Sequence, residues 1–212
     1  MTDPRHPLRS RLPLAGLLLL GLLTAACTQP PVPRDTFYRL DPPVPQRTQA
    51  ASQTAPLFNG VVEVGRFTAD GVVGERSLAF SEKGGELTRY SYHYWAEPPT
   101  DLLQRALADH LRASGLFSQT VTPELRVPAA YEVQGRVRRF EQLRGGETTR
   151  VALSLSLSLT DIHHGRLIHL GTYDSEQPAA DASPAAAVAA LRTATAEAFQ
   201  RFTADLRQAG AQ

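Results

Sequence analysis

Hydrophobic and polar residues alternate strictly in two stretches in the second half of the chain. In residues 131–138, Tyr131, Val133 and Val137 alternate with charged or amide side chains. In residues 151–159, one valine and four leucines alternate with one alanine and three serines. Successive side chains of a strand point to opposite faces, so the pattern predicts two antiparallel strands with one buried and one solvent-exposed face.

A helical period marks residues 97–114. The segment opens with Glu97-Pro98-Pro99, which is typical of a first helical turn, and it closes before Gly115. Its apolar residues recur at helical spacing: Leu102, Leu103, Ala106, Leu107 and Leu111. His110 lies on this stripe, so we interpret it as a partly buried structural histidine rather than a ligand.

A second, longer helix is predicted near the C-terminus. Ser183 suits the N-cap position and Pro184 the first helical position. An amphipathic stripe follows from Val188 to Leu206.

Shorter β-rich segments complete the pattern. They are Phe37–Leu40, Leu57–Phe67, a hairpin formed by Arg76–Ser81 and Glu86–Tyr94, and Arg166–Tyr173, whose buried face the pattern does not identify. Together with the two helices, these strands predict an α+β two-layer sandwich, in which an antiparallel sheet of about six strands is covered on one face by two helices.

The N-terminus has the layout of a secretory signal. Three arginines precede the apolar stretch Leu12–Leu23, and Thr24-Ala25-Ala26 leads to Cys27, the only cysteine. The apolar stretch is too short for a stable membrane span. The box ending at Cys27 resembles the bacterial lipobox, which predicts cleavage after residue 26 and lipidation of Cys27. The alternative is a soluble exported protein with an incidental cysteine, although an unpaired thiol is unusual there.

These features predict three regions: a lipoprotein signal peptide over residues 1–26, the lipidated cysteine with a Pro-rich tether, strand and loop over 27–56, and the main domain over 57–208. Thr28 follows the cysteine, whereas Asp at that position retains enterobacterial lipoproteins in the inner membrane. The sorting rule therefore predicts anchoring in the outer membrane, on its periplasmic face.

Charge and motifs exclude several functions. The chain has 22 Lys and Arg against 21 Asp and Glu, so no basic excess indicates nucleic acid binding. Asp161, His163, His164 and His169 form the only histidine cluster, but adjacent ligands on a turn give poor tetrahedral geometry. Neither metal-site spacing, a nucleophile elbow nor a phosphate-binding loop is present. We therefore expect no active site, metal or cofactor.

The segment Tyr90–Pro99 is the strongest internal signal and contains the only tryptophan. Strand alternation places Tyr90, Tyr92 and Tyr94 on one face. One interpretation is that Trp95 fills the gap between sheet and helix, with Glu97 favoured near the helix N-terminus. The other is that the segment binds a partner or lipid, since aromatic clusters are typical of interfaces. The candidate residues are Tyr90, Tyr92, Tyr94, Trp95, Glu97 and Pro98.

Several motifs together resemble a known family. The lipobox, the Phe-Tyr-Arg-Leu strand, Trp95-Ala96-Glu97-Pro98-Pro99, Val137-Arg138-Arg139-Phe140-Glu141 and the alanine-rich last helix are similar to those of the ABC-type transport auxiliary lipoproteins. The resemblance covers roughly Phe37 to Leu206. The segment Phe67–Gly71 departs from it, where a Pro-x-Tyr-Leu-like sequence is expected.

This resemblance implies a non-catalytic part in lipid movement between two membranes. It implies partnership with an MCE-type lipid-binding subunit and an ABC permease and ATPase complex, and it leaves a homo-oligomer possible. Two alternatives from other classes are a general envelope-assembly or peptidoglycan-associated lipoprotein and a periplasmic hydrolase. The absence of a hydrolase motif weighs against the last. Neighbouring genes for a permease, an ATPase and an MCE protein would favour transport.

Overall fold

A computed structural model describes residues 32–46, 55–82 and 85–211, and residues Asp35–Gln212 group into one compact unit. The predicted signal peptide, Cys27 and most of the Pro-rich tether lie outside the described residues. So do residues 47–54 of the following loop and Lys83 and Gly84 of the hairpin turn.

Nine strands and two α-helices are present in the described part of the chain. The strands are β1 (Thr36–Tyr38), β2 (Phe58–Val64), β3 (Thr68–Ala69), β4 (Ser77–Ser81), β5 (Leu87–Trp95), β6 (Phe117–Val121), β7 (Tyr131–Leu143), β8 (Arg150–Asp161) and β9 (Arg166–Pro178). The helices are α1 (Pro99–Ser114) and α2 (Pro184–Gly210).

The sheet is mixed, which corrects the expectation of an antiparallel sheet of about six strands. β7 pairs antiparallel with β8, and β8 with β9, as the alternation predicts. On its other edge β7 pairs in parallel with β2, β3 and β4 in turn. β6 adds to β2 and β1 adds to β5, both in parallel, while β4 and β5 form the predicted antiparallel hairpin.

The physical reason lies in the length of β7. Its 13 residues are enough for three short segments to pair with it end to end. Strand direction depends on how the connections run between those segments, and residue alternation carries no information about it. The layer arrangement and the two helices are as predicted, whereas the number and direction of the strands are not.

Both helices pack on one face of the sheet and close a single core. Leu103 and Leu107 of α1, and Phe199 and Phe202 of α2, have no exposed surface and belong to the same cluster as the β8 leucines. The side chain of Ser183 accepts a 3.1 Å hydrogen bond from the amide of Ala186, so it caps α2 as predicted. Gly115 ends α1 with φ of +66°.

The opposite face of the sheet is polar but not uniformly exposed. Ser156 and Ser158 are half-buried, and Ser154 is buried although it lies on this face. Its cross-strand neighbours are Arg139 and Asp174, whose strands flank β8 on both sides. Long side chains on flanking strands shield a central strand in a way that alternation does not reveal.

The last strand has a defined inner face. Tyr173 and Ser175 are buried toward α2, where Tyr173 donates a hydrogen bond to Asp205 and Ser175 donates one to Glu197. Helix α2 is therefore tied to β9 through polar contacts as well as through its apolar stripe. No helix among residues 32–46, 55–82 and 85–211 is long and apolar enough to cross a membrane.

Candidate functional site

Trp95 is a core residue at the junction of β5 and α1. It is 1% exposed and stacks on Phe140 of β7, with ring centroids 5.0 Å apart. Its amide donates a 2.6 Å hydrogen bond to the carbonyl of Arg76, and the amide of Ala96 donates one of 2.7 Å to Tyr38. The interpretation of Trp95 as a plug between sheet and helix is confirmed, and its ring is not available at the surface.

The three tyrosines of β5 do not share one face, which corrects the sequence-based expectation. Arg89 pairs with Ala79, and Tyr94 pairs with Ser77. The two β5 residues are five positions apart but their β4 partners are only two positions apart, so the pairing register shifts between them. This irregularity places Tyr94 on the same side as Arg89, whereas regular alternation would place it on the opposite side. The aromatic segment is therefore divided between two faces.

Tyr90 belongs to a half-buried cluster at the end of β7. Its ring lies 4.7 Å from that of Phe80, and its hydroxyl donates a hydrogen bond to the side chain of Gln142. The guanidinium of Arg144 lies over both rings. Burial raises the pKa of Tyr90, so its hydroxyl stays protonated and serves as a donor.

Tyr94 belongs to a different, exposed cluster. Its ring stacks on Phe37 of β1 at 5.6 Å, and the guanidinium of Arg76 lies 5.6 Å from the Phe37 ring centre. Phe37 is 56% exposed. We call Phe37, Tyr94 and Arg76 the aromatic rim. Neither Phe37 nor Arg76 was among the predicted site residues, because nothing in the sequence pairs β1 with the end of β5.

Glu97 and Pro98 lie at the start of α1. The carbonyl of Pro98 accepts hydrogen bonds from the amides of Asp101 and Leu102. Glu97 forms an ion pair with Arg105, and its side chain is 44% exposed. Both charged residues line a groove of about 460 Å³ between α1 and the segment Arg39–Val44. Of the predicted residues, Glu97 is therefore accessible, as is Tyr92, which is 37% exposed, and Pro98 is half-buried.

The histidine turn after β8 has the expected structural role. Asp161 accepts hydrogen bonds from the amide and from Nδ1 of His164, which lowers the pKa of the carboxyl group. His169 lies away from this turn, and its Nε2 is 2.7 Å from the hydroxyl of Tyr173. Among the residues that the structure describes, no group of three His, Cys, Asp or Glu side chains is arranged to hold a metal ion.

His110 is buried more deeply than the sequence indicates. It is 2% exposed, its ring lies 5.7 Å from Phe199 between the helices, and its Nε2 has no hydrogen-bond partner. Burial, together with a smaller effect of the charge of Arg207, lowers the pKa of His110 to about 4. His110 is therefore neutral and structural.

The chain belongs to a family of envelope lipoproteins. It matches the ABC-type transport auxiliary lipoprotein component family over residues 38–201, and it is therefore a member of that family. The match spans β1 to α2 and includes the Trp95–Pro99 junction. Members are auxiliary components of ABC-type transport and are membrane-anchored proteins of the cell envelope.

Solved structures share this fold. A protein from Xanthomonas campestris superposes with a TM-score of 0.72 at 21% identity, over 84% of this chain and 97% of that one. A second, uncharacterised protein gives a TM-score of 0.64 at 14% identity, over 82% of this chain and 99% of that one. At these identities the likeness concerns the fold alone. None of the curated proteins compared with the chain matches it significantly.

Proposed function

We propose that this protein is an outer-membrane-anchored, periplasmic and non-catalytic auxiliary subunit of an MCE-type ABC transporter that moves phospholipids between the two membranes. The family membership carries the proposal, since it makes the chain an auxiliary component of ABC-type transport. The MCE partner, the lipid cargo and the outer-membrane location are proposed in addition to what the family membership shows.

The N-terminal sequence supports the anchor. Acylation of Cys27 would attach the domain to the membrane. Position 28 carries Thr instead of the Asp that retains enterobacterial lipoproteins in the inner membrane, which favours the outer membrane. Two anchoring signals already hold a protein stably on a membrane, so three acyl chains would give stable attachment. From its three prolines, we expect the segment 28–35 to act as an extended tether between the anchor and β1.

The junction of β5 and α1 supports a docking role. Tyr92, Glu97 and Pro98 present an aromatic ring, a charge and a rigid turn at the surface. Trp95 fixes their positions from below, because its ring is held in the core by Phe140. A surface built on a buried aromatic anchor is pre-organised for binding, which reduces the entropic cost of association.

The experiment is copurification of the mature, acylated protein with its transporter in mild detergent. The expected result is recovery of a permease, an ATPase and an MCE protein in one complex. Glu97→Arg should weaken this recovery several-fold. Asp70→Arg is a matched control, because the side chain of Asp70 is 39% exposed and is likewise paired with an arginine, Arg136. Sedimentation of the protein with the cell wall, without transporter subunits, would refute the proposal in favour of a peptidoglycan-associated role.

A further inference from the structure

The aromatic rim exposes apolar surface at the first structured segment of the chain. Phe37 lies on the edge strand β1, which pairs only with β5 among the described strands. Its ring contacts the ring of Tyr94 and the guanidinium of Arg76, and the rest of the ring is exposed. A shallow groove of about 300 Å³ beside it is lined by Asp35, Glu75 and Ser77 together with the rim. An exposed phenylalanine at a sheet edge requires an explanation, since unpaired edges favour unwanted association.

The composition of the rim suits a membrane interface. Tyrosine and arginine combine an apolar body with a polar tip, and phenylalanine adds a wholly apolar ring. The hydroxyl of Tyr94 donates a hydrogen bond to the carbonyl of Ser91 at the surface. Tyrosine is enriched at the depth of the lipid headgroups, and arginine near a membrane keeps its charged end at the interface. The Arg76 side chain is held in place, because its Nη2 donates a 3.0 Å hydrogen bond to the carbonyl of Ala96.

The position of the rim along the chain identifies the membrane concerned. Phe37 lies only ten positions after Cys27, so a fully extended chain places the rim at most about 36 Å from the cysteine. Leu125 and Leu170 are also exposed, but they follow Cys27 by 98 and 143 positions, so the tether alone does not bring them to the bilayer. A tether this short keeps the rim at a millimolar effective concentration near the bilayer, so a weak affinity is sufficient.

The charge around the rim is balanced. Glu75 is paired with Arg89, and Arg76 lies in the same groove as Asp35. Attraction to anionic lipid is therefore a minor contribution, and the association should depend on the rings rather than on salt.

We propose that the aromatic rim rests in the headgroup layer of the membrane that holds the acyl chains of Cys27. This inference rests on the proposed lipid anchor. It gives the domain a fixed orientation, with β1 against the bilayer, instead of free rotation on its tether.

The test uses the full mature protein in vesicles of phosphatidylethanolamine and phosphatidylglycerol that contain a nitroxide-labelled lipid. Because Cys27 is acylated, Asp35→Cys introduces the one free thiol, which is labelled with a polarity-sensitive fluorophore beside the rim. Asp174→Cys, an exposed position on β9, is the matched control. We expect severalfold stronger quenching at position 35 than at position 174, at low and high salt. Adding Phe37→Ser to Asp35→Cys should reduce quenching to the control level.

Equal quenching at both positions, or quenching at position 35 that survives Phe37→Ser, would overturn the inference. A label that becomes shielded only when the transporter is added would also overturn it and would assign the rim to a protein partner. Mass spectrometry of the N-terminal peptide separates the two proposals. If Cys27 carries acyl chains and the rim label is not quenched, the rim inference alone fails; if Cys27 is unmodified, the anchor fails and the rim inference fails with it.

Discussion

The hydroxyl of Tyr173 lies 2.8 Å from Oδ2 of Asp205 and donates a hydrogen bond to it, which links β9 to the last turns of α2. The same hydroxyl lies 2.7 Å from Nε2 of His169. Burial raises the pKa of Tyr173 well above its ordinary value, and the hydrogen bond to Asp205 raises it further. The tyrosine therefore remains a neutral donor at physiological pH.

This arrangement requires a glycine at position 171. A Cβ atom there would lie 2.8 Å from Oη of Tyr173 and 2.9 Å from Nε2 of His169. Gly171→Ala should therefore displace both side chains and lower the free energy of unfolding by about 1–3 kcal/mol. Chemical denaturation measures the change. Gly146→Ala is the control, since its nearest neighbour would be 3.4 Å away. Equal stability of both variants would contradict the prediction.

Removal of the Trp95 ring should be the most damaging single change at the junction. The ring is buried against Phe140, so Trp95→Ala should cost about 3–5 kcal/mol of unfolding free energy. Tyr92→Ala, at an exposed position in the same strand, should stay within about 0.5 kcal/mol of the wild type. Both are measured by thermal and urea unfolding. An unchanged melting temperature would contradict the assignment of the Trp95 ring to the core.

Acid should destabilise the fold through His110. Its pKa in the folded protein is about 4, below the ordinary value of 6.5, so between these values the unfolded chain binds a proton that the native protein does not. The contribution of neutral His110 to the free energy of unfolding is therefore fully present above pH 6.5. It falls by about 3 kcal/mol as the pH drops from 6.5 toward 4.

The control for this prediction is His110→Leu, measured by urea unfolding at several pH values. The variant should lose the pH dependence contributed by His110. At neutral pH it should match or exceed wild-type stability, because Nε2 of His110 has no hydrogen-bond partner to lose. A variant that shows the same loss of stability between pH 6.5 and 4 as the wild type would exclude His110 as its cause.

Loss of the anchor should separate folding from localisation. Cys27→Ala is expected to leave the domain folded, but to release it from the membrane fraction or to trap it as an uncleaved precursor. Fractionation with immunoblotting and the mass of the N-terminal peptide distinguish these results. A processed variant that stays in the outer membrane at normal levels would show that Cys27 is not the anchor.

Elements defined by local pattern were predictable from the sequence. The stripes of α1 and α2 and the alternation of β7 and β8 depend only on which residues must face the core. The burial of Trp95 followed from its position between a strand and a proline-rich helix start. These predictions hold because burial of apolar side chains dominates the choice of local structure.

Features that depend on distant partners were not predictable. The parallel pairing of β2, β3 and β4 with β7 joins residues that are 62 to 69 positions apart. The irregularity in β5 moves Tyr94 to the face opposite to that expected and brings it to Phe37, more than fifty residues earlier in the chain. Likewise, only the contact with α2 shows which face of β9 is the inner one.

The central position of β7 also determines when the protein is able to fold. β2, β3 and β4 all require β7 as a neighbour, yet β7 begins at Tyr131, and the helix that covers β8 and β9 ends at Gly210. During synthesis or export from the N-terminus, the edges of β2, β3 and β4 that pair with β7 therefore remain unpaired until most of the chain has emerged. Such long-range pairing makes folding slow, because loop closure must precede the contacts that compensate for it. A helical protein of equal length, whose contacts are mostly local, can form its core with less of the chain available.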